Sequence, residues 1–242
     1  EKYYAIDKHS SFTDNRQFQR FCEFLDIQCE PVNNHPLFNY DRLEAVYKTI
    51  EHTFDPFLIK NKYKKKLEEE KKITLKLSTE ITQVERGSSE NWILHVSQGD
   101  KSSKINCSAA INATYAGTNS ILGLFGFEEW DLQHEISEIG LIEAPEIAHL
   151  GLTVMDGPFG SIMPYGKSGL LSISSVAYTH HKISYANKPE FDCMQKTVDC
   201  APGQLADCNS CPAQPASNIK KMTAQMSQYF SKPIDWKHFK SL

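Results

Sequence analysis

Apolar residues change period several times along the chain, and each change marks an element boundary. Tyr3 to Ile6 alternates briefly and leads into polar His9-Ser10-Ser11. Phe18, Phe21, Cys22 and Leu25 then fall at i, i+3, i+4 and i+7, which predicts a helix with Asp14 as N-cap and Gln17 completing a capping box. After the Asn33-Asn34-His35-Pro36 break, Leu43, Val46, Tyr47 and Ile50 repeat the helical spacing and predict a second helix. Asp55-Pro56 reads as an N-cap followed by proline at the first helical position, opening a helix through Phe57, Ile59, Tyr63 and Leu67. In its distal half Lys64, Lys65 and Lys66 each precede a glutamate by four residues, the pattern of a solvated helical face.

The period then falls to two. Ile73, Leu75 and Leu77 alternate, and Ile81–Val84, Trp92–Val96 and Ile105–Ala113 are further strands separated by Gly87-Ser88-Ser89 and Gly99-Asp100 turns. Residues 123–148 show no clean period. Leu150–Val154, Gly160–Met163 and Leu170–Tyr178 read as strands, and Ser217 caps a last helix carrying Ile219, Met222, Met226, Tyr229 and Phe230 on one face. Helices interspersed with short, mostly sequential strands give an α+β fold.

At 242 residues and 40% hydrophobic content the chain is long enough for one large or two small globular domains. No apolar run is long enough for a membrane span, and Glu1 to Ser11 is no secretory h-region. The formal charge of −4 gives no basic footprint for nucleic acid. An odd count of seven cysteines points to a reducing, cytoplasmic setting, in which the sequons at Asn106 and Asn112 are coincidental. The start at Glu1 without methionine is expected of a processed chain or a fragment.

Cys22, Cys29 and Cys107 lie among apolar neighbours and read as small buried hydrophobes. Cys193, Cys200, Cys208 and Cys211 differ: they follow C-x6-C-x7-C-x2-C in a segment rich in turn-formers. The C-x2-C knuckle presents two thiolates to one tetrahedral ion, and the other two cysteines complete a candidate structural zinc site. Free thiols, disulfides, a redox pair and an iron–sulfur site remain alternatives at this point.

Two stretches resemble the FAD-dependent oxidoreductases of the D-amino-acid oxidase and glycine oxidase type. The first is INCSAAINATYAGTN, Ile105 to Asn119, which follows the strands of Ile81–Arg86 and Trp92–Ser97. In that superfamily a three-stranded meander feeds a strand whose small-residue turn passes the flavin, and the matching turn is Thr114, Tyr115, Ala116 and Gly117. The second is MDGPFGSIMPYGKSG, Met155 to Gly169, similar to the late segment beside the isoalloxazine ring, with Pro164, Tyr165, Gly166 and Gly169 in the matching positions. Lys167, Tyr178, His180 and His181 are candidates to face a small-molecule substrate.

The resemblance implies a partial FAD-binding domain plus an antiparallel-sheet substrate domain. The segments expected are 1–52 on the substrate side, 53–126 as the inner part of the FAD domain, and 127–242 as substrate-side sheet, cysteine-rich loop and last helix. Family members open with a G-x-G-x-x-G turn that holds the pyrophosphate, and no G-x-G occurs here. On the same resemblance the family's closing segment, which completes the sheet, is expected to be absent after Leu242. The chain is therefore expected to be an inner fragment, inactive alone, of an enzyme that moves hydride from a carbon bearing an amine or hydroxyl to flavin. Such enzymes often clamp a substrate carboxylate with arginine, whereas none of Arg16, Arg20, Arg42 and Arg86 sits on a matching motif. The competing expectation is a non-enzymatic α+β binding module stapled by zinc.

Overall fold

A computed structural model describes residues 1–88, 90–197, 200–202 and 207–242. The first elements are β1 (Lys2–Asp7), α1 (Asn15–Phe24), β2 (Cys29–Pro31), β3 (Leu43–Thr49) and α2 (Pro56–Glu69). Next come β4 (Glu80–Arg86), β5 (Trp92–Gln98), β6 (Lys101–Cys107), α3 (Thr118–Leu124), β7 (His134–Ser137) and β8 (Gly140–Glu143). The last are β9 (Gly151–Met155), β10 (Gly160–Pro164), β11 (Leu171–Ser175), β12 (His180–Ser184), α4 (Ile219–Ser227) and β13 (Lys237–Ser241). The fold is α+β, and no described helix is long and apolar enough to cross a membrane. Two compact units form, one from residues 1–62, 136–181 and 215–242, the other from 63–135 and 182–214.

The first unit is built on an eight-stranded sheet of order β13-β8-β11-β10-β9-β1-β3-β2. Its pairs are antiparallel except β1 with β9, which run parallel from Lys2 opposite Gly151 to Ile6 opposite Met155. Alternation along β1 sends Tyr3 and Ala5 into a core with Leu152, Ile162, Ile173, Met222 and Met226 of α4. Ile6 points to the other face, where Phe18 and Cys22 of α1 meet Tyr47. Both faces are thus covered by helices. Helix α1 starts as its sequence requires, with the Asp14 carboxylate accepting from Gln17 N at 2.8 Å and the Gln17 side chain accepting from Asp14 N at 2.9 Å.

Leu43–Thr49 forms strand β3 where the spacing from Leu43 to Ile50 predicts a helix. Val46 enters the α4 core and Tyr47 the α1 core, so the strand is buried on both faces and loses its two-residue alternation. A run of that kind mimics helical spacing. The alternating Ile73, Leu75 and Leu77 form no strand, and all three side chains are exposed. The strand expected through Ala113 ends at Cys107. In the second unit β4, β5 and β6 make the expected antiparallel meander, with the Arg86 guanidinium 3.8 Å over the Trp92 ring. Buried Asn119 binds the carbonyls of Trp130 and Asn187 at 2.8 and 2.7 Å and accepts from Trp130 N at 3.0 Å.

Two carboxylates organise the ends of the large sheet. Asp7, at the end of β1, has a fully buried side chain 2.6 Å from Arg42 Nε and accepts from the amides of His9 and Ser10 at 2.9 Å each. Glu138, 5% exposed, accepts from Asn218 N at 2.8 Å and from the hydroxyls of Ser217 and Ser241, and lies 2.8 Å from His181 Nε2. Burial alone raises a carboxyl pKa, but here the converging donors outweigh it and hold Glu138 below its ordinary value. One side chain therefore joins the start of α4, the end of β13 and the β7–β8 turn.

Glu138→Gln removes the charge and turns one acceptor into a donor facing other donors. It is expected to lower stability by about 2 kcal/mol or more in urea titrations at pH 7. The folded carboxyl titrates below its unfolded value, so its stabilisation is present above the ordinary value of 4.5 and disappears as pH falls through the folded value. Melting temperatures of wild type and variant should converge in acid; a gap independent of pH would contradict this role.

Candidate functional site

After β6 the chain runs through Ser108, Ala109 and Ala110 into the turn of Thr114 to Gly117. Asn112 shapes this turn by accepting from Thr114 Oγ1 at 2.7 Å and donating to Thr118 O at 3.0 Å. Thr114 O accepts from Gly117 N at 2.9 Å, closing a one-turn 3-10 helix over Tyr115–Gly117 that leads into α3. Tyr115 takes the left-handed conformation, φ 53°, and is 94% exposed. Small residues here leave backbone uncovered. Beside them lies a cavity of about 370 Å³ walled by Ile81, Trp92, Ser108–Asn112, Thr114 and the α3 residues Ile121 and Leu122, with Phe125 and Phe127 closing it. Trp92 and Phe125 meet edge to face, centroids 4.8 Å apart. Small side chains and aromatic walls fit the flat apolar part of a dinucleotide. The pyrophosphate cradle is a different matter, since the sequence holds no G-x-G turn.

In the first unit, Pro164 to Gly169 forms the β10–β11 hairpin. Tyr165 N donates to Leu170 O at 2.8 Å, and Gly166 and Gly169 take φ values of +57° and +80°. The helix cap foreseen at Asp55 holds this hairpin as well. Its carboxylate accepts from Phe57 N and Leu58 N at 2.9 and 3.1 Å, and from Lys167 N at 3.0 Å. Those amides, Leu58 and Lys167 foremost, keep the Asp55 carboxyl below its usual range. Tyr165 adds an edge contact to Phe57, centroids 6.1 Å apart. Gly166 is required twice over: its φ disfavours any side chain, and a Cβ would stand 2.6 Å from Asp55 Oδ2.

A second cavity, about 280 Å³, is lined by Lys2, Glu51, His52, Gly151, Met163 and Pro164 among others. Lys2 is the group that sequence reasoning missed. Its ammonium is buried, 2.6 Å from Thr153 Oγ1, 2.8 Å from the Met163 sulfur and 3.1 Å from Glu51. Burial lowers its pKa, partly opposed by Glu51. An amine less firmly protonated than usual, beside a carboxylate and a hydroxyl, is suited to hold a small polar ligand or to exchange a proton with one. The local sequence carries no signal for it, because its partners are distant in the chain.

The other expected residues lie elsewhere. Lys167 is exposed, and its backbone amide makes the contact with Asp55. Tyr178 packs against the α4 core with the Lys221 ammonium 5.9 Å from its ring centroid. His180 Nδ1 lies 3.1 Å from Ser137 Oγ, and His181 belongs to the Glu138 cluster. The lining of the second cavity includes none of Lys167, Tyr178 and His180. Arg42 and Arg86 are engaged by Asp7 and Trp92.

Cys208 and Cys211 sit at the two ends of a short 3-10 turn, Cys208–Ser210, with Cys211 N donating to Cys208 O at 3.2 Å. Cys193 lies on another such turn, Asp192–Lys196, and Cys200 is half-buried. Burial first, and then Cys193, Cys200, Cys211 and Asp207, raise the Cys208 thiol pKa. Among the described residues no three His, Cys, Asp or Glu side chains are already gathered as a metal-ligand set. A scan of protein-family models gives no match to the chain, and a search of curated proteins gives none either.

Gly166→Ala should lower stability by roughly 1–3 kcal/mol in denaturant titrations. In an Asp55→Ala background the same change is expected to be milder, because the clash disappears and only the φ strain remains. Equal losses in both backgrounds would show that Asp55 does not constrain the hairpin.

Proposed function

We propose that this chain forms the substrate-side sheet and the inner flavin-side part of an FAD-dependent oxidoreductase acting on a small amine or hydroxyl substrate. The observation that carries the reading is the uncovered apolar surface of the second unit. Tyr63, Leu67, Ile73, Leu75, Leu77, Ile111 and Tyr115 are all exposed, and α2 buries none of its residues. Ile73, Leu75 and Leu77 keep the alternation of a strand while forming none. A helix, an unpaired strand-like segment, a meander and a small-residue turn, in that order, are what an inner piece of a dinucleotide-binding domain looks like without its neighbouring strands.

On this reading the dinucleotide-binding half covers that surface and brings the pyrophosphate cradle. Ser108, Ala109, Ala110 and Thr114 then let the backbone approach the cofactor, and Trp92 and Phe125 wall the apolar cavity beside them. Bound FAD supplies the hydride acceptor. In the first unit Lys2, Thr153 and Glu51 orient a small polar substrate at the cavity beside Pro164. With Arg42 and Arg86 already engaged, neither offers a forked clamp for a carboxylate, which favours simple amines or alcohols over amino acids.

Protein expressed from the whole coding region and reconstituted with FAD should show the absorption spectrum of bound flavin. Leu75→Asp should abolish flavin retention in that protein while changing the stability of the 242-residue chain by less than about 0.5 kcal/mol. A spectrum identical to free flavin would overturn the reading and leave the non-enzymatic binding module in its place.

A further inference from the structure

We infer that helix α1 is a self-association surface, on which a second copy of this chain packs antiparallel. α1 buries Phe18 and Cys22 against the sheet. Its other apolar residues point away from the core: Phe21 is 53% and Phe24 85% exposed, and Leu25 and Ile27 are exposed as well. Spaced at i, i+3 and i+4, Phe21, Phe24 and Leu25 form one stripe along the helix. The chain beyond the helix keeps Ile27 near that stripe, because Asp26 turns left-handed, φ 54°, and Ile27 N donates to Cys22 O at 2.9 Å.

The charges beside the stripe decide what fits it. Arg16 and Arg20 are like charges four residues apart in the N-terminal half, while Glu23 and Asp26 stand at the C-terminal end. Asp14 aside, which caps the helix, both placements oppose the macrodipole, and Arg16 repels Arg20. Among the described residues none of Arg16, Arg20, Glu23 and Asp26 makes an ion pair. Within one chain the pattern is unfavourable; an antiparallel second copy reverses that. The acidic end of its α1 lies beside the two arginines of the first, and the two macrodipoles are opposed. Phe21 then meets Phe24 of the second copy, and the two-fold axis repeats every contact. An anionic membrane would attract the arginines and repel Glu23 and Asp26 beside the same rings, whereas a copy of the chain complements both. A ten-residue helix makes a small contact, so association is expected at concentrations on the order of micromolar.

Sedimentation velocity of the 242-residue chain over a range of concentrations provides the test. The expected result is a reversible monomer–dimer equilibrium that weakens with added salt. Phe24→Glu should leave a monomer throughout. Arg20→Glu should weaken the dimer about tenfold or more, and Arg20→Glu/Glu23→Arg should recover most of that loss. Leu75→Asp should leave the equilibrium unchanged, which separates this face from the surface assigned to the dinucleotide-binding half. All these positions are exposed, and a circular-dichroism melt checks each fold. Should Phe24→Glu not fold, the charge swap decides. A chain monomeric at every concentration, a dimer that survives Phe24→Glu or is lost in Leu75→Asp, or a double swap no better than Arg20→Glu would each overturn the proposal.

Discussion

Among the paired strands of the large sheet, the parallel pairing of β1 with β9 closes the longest connection, from residue 7 at the end of one strand to residue 151 at the start of the other. Closing so long a loop carries an entropic penalty that local contacts cannot offset, so the strand that closes it must bury apolar surface on both sides. β1 does this by alternation, Tyr3 and Ala5 toward α4 and Ile6 toward α1. Its end is secured by Asp7, whose buried carboxylate accepts two amides and meets Arg42. Tyr229, buried near the same pair, has its phenol pushed up to about 12, chiefly by that burial. At the far edge Glu138 closes the sheet onto α4 and β13. Removing either buried carboxylate leaves several converging donors without their acceptor, which is why both positions are polar beside an apolar core.

The second unit obeys the opposite logic. Its meander, Asn119 and the aromatic group of Trp92, Phe125 and Phe127 are internally satisfied. Yet the segment before the meander and the turn after it present apolar residues outward. An unpaired strand-like segment with its apolar side chains exposed is an edge to which another strand can add. The cavity beside Ser108–Thr114 is small, mostly apolar and flanked by exposed small residues. The exposed apolar surface thus adjoins the turn of Thr114 to Gly117.

Local chemistry was legible wherever one residue decides one bond. Asp14 with Gln17, Asp55 with Pro56, the three-stranded meander and the buried Ile219, Met222 and Met226 of α4 stand where the sequence puts them. The N-cap of α4 is Asn218 rather than Ser217, and the helix ends at Ser227, before Tyr229 and Phe230. The expected turn at Gly87-Ser88-Ser89 includes Ser89, outside the described residues. What escaped was set by distant partners. β3 imitates a helix because Val46 and Tyr47 are buried on opposite faces. Ile73 to Leu77 carries a correct alternation that lacks a paired neighbour in the described structure. Glu138 and Lys2 look like ordinary surface charges; their partners Ser241 and Thr153 lie far along the chain, and no local pattern marks them. Pro164–Gly169 read correctly as a turn, while the role of Asp55 in holding it appears only once the chain is folded.

Hydrogen exchange resolved along the chain tests the central claim most directly, comparing the 242-residue chain with flavin-loaded protein from the whole coding region. Amides of β1 and β9 should be strongly protected in both, whereas those of residues 73–77 should exchange freely in the chain alone and become protected in the flavin-loaded protein. Residues 73–77 that stay unprotected when flavin is bound, or that are already protected in the chain alone, would contradict a second unit completed by a dinucleotide-binding half.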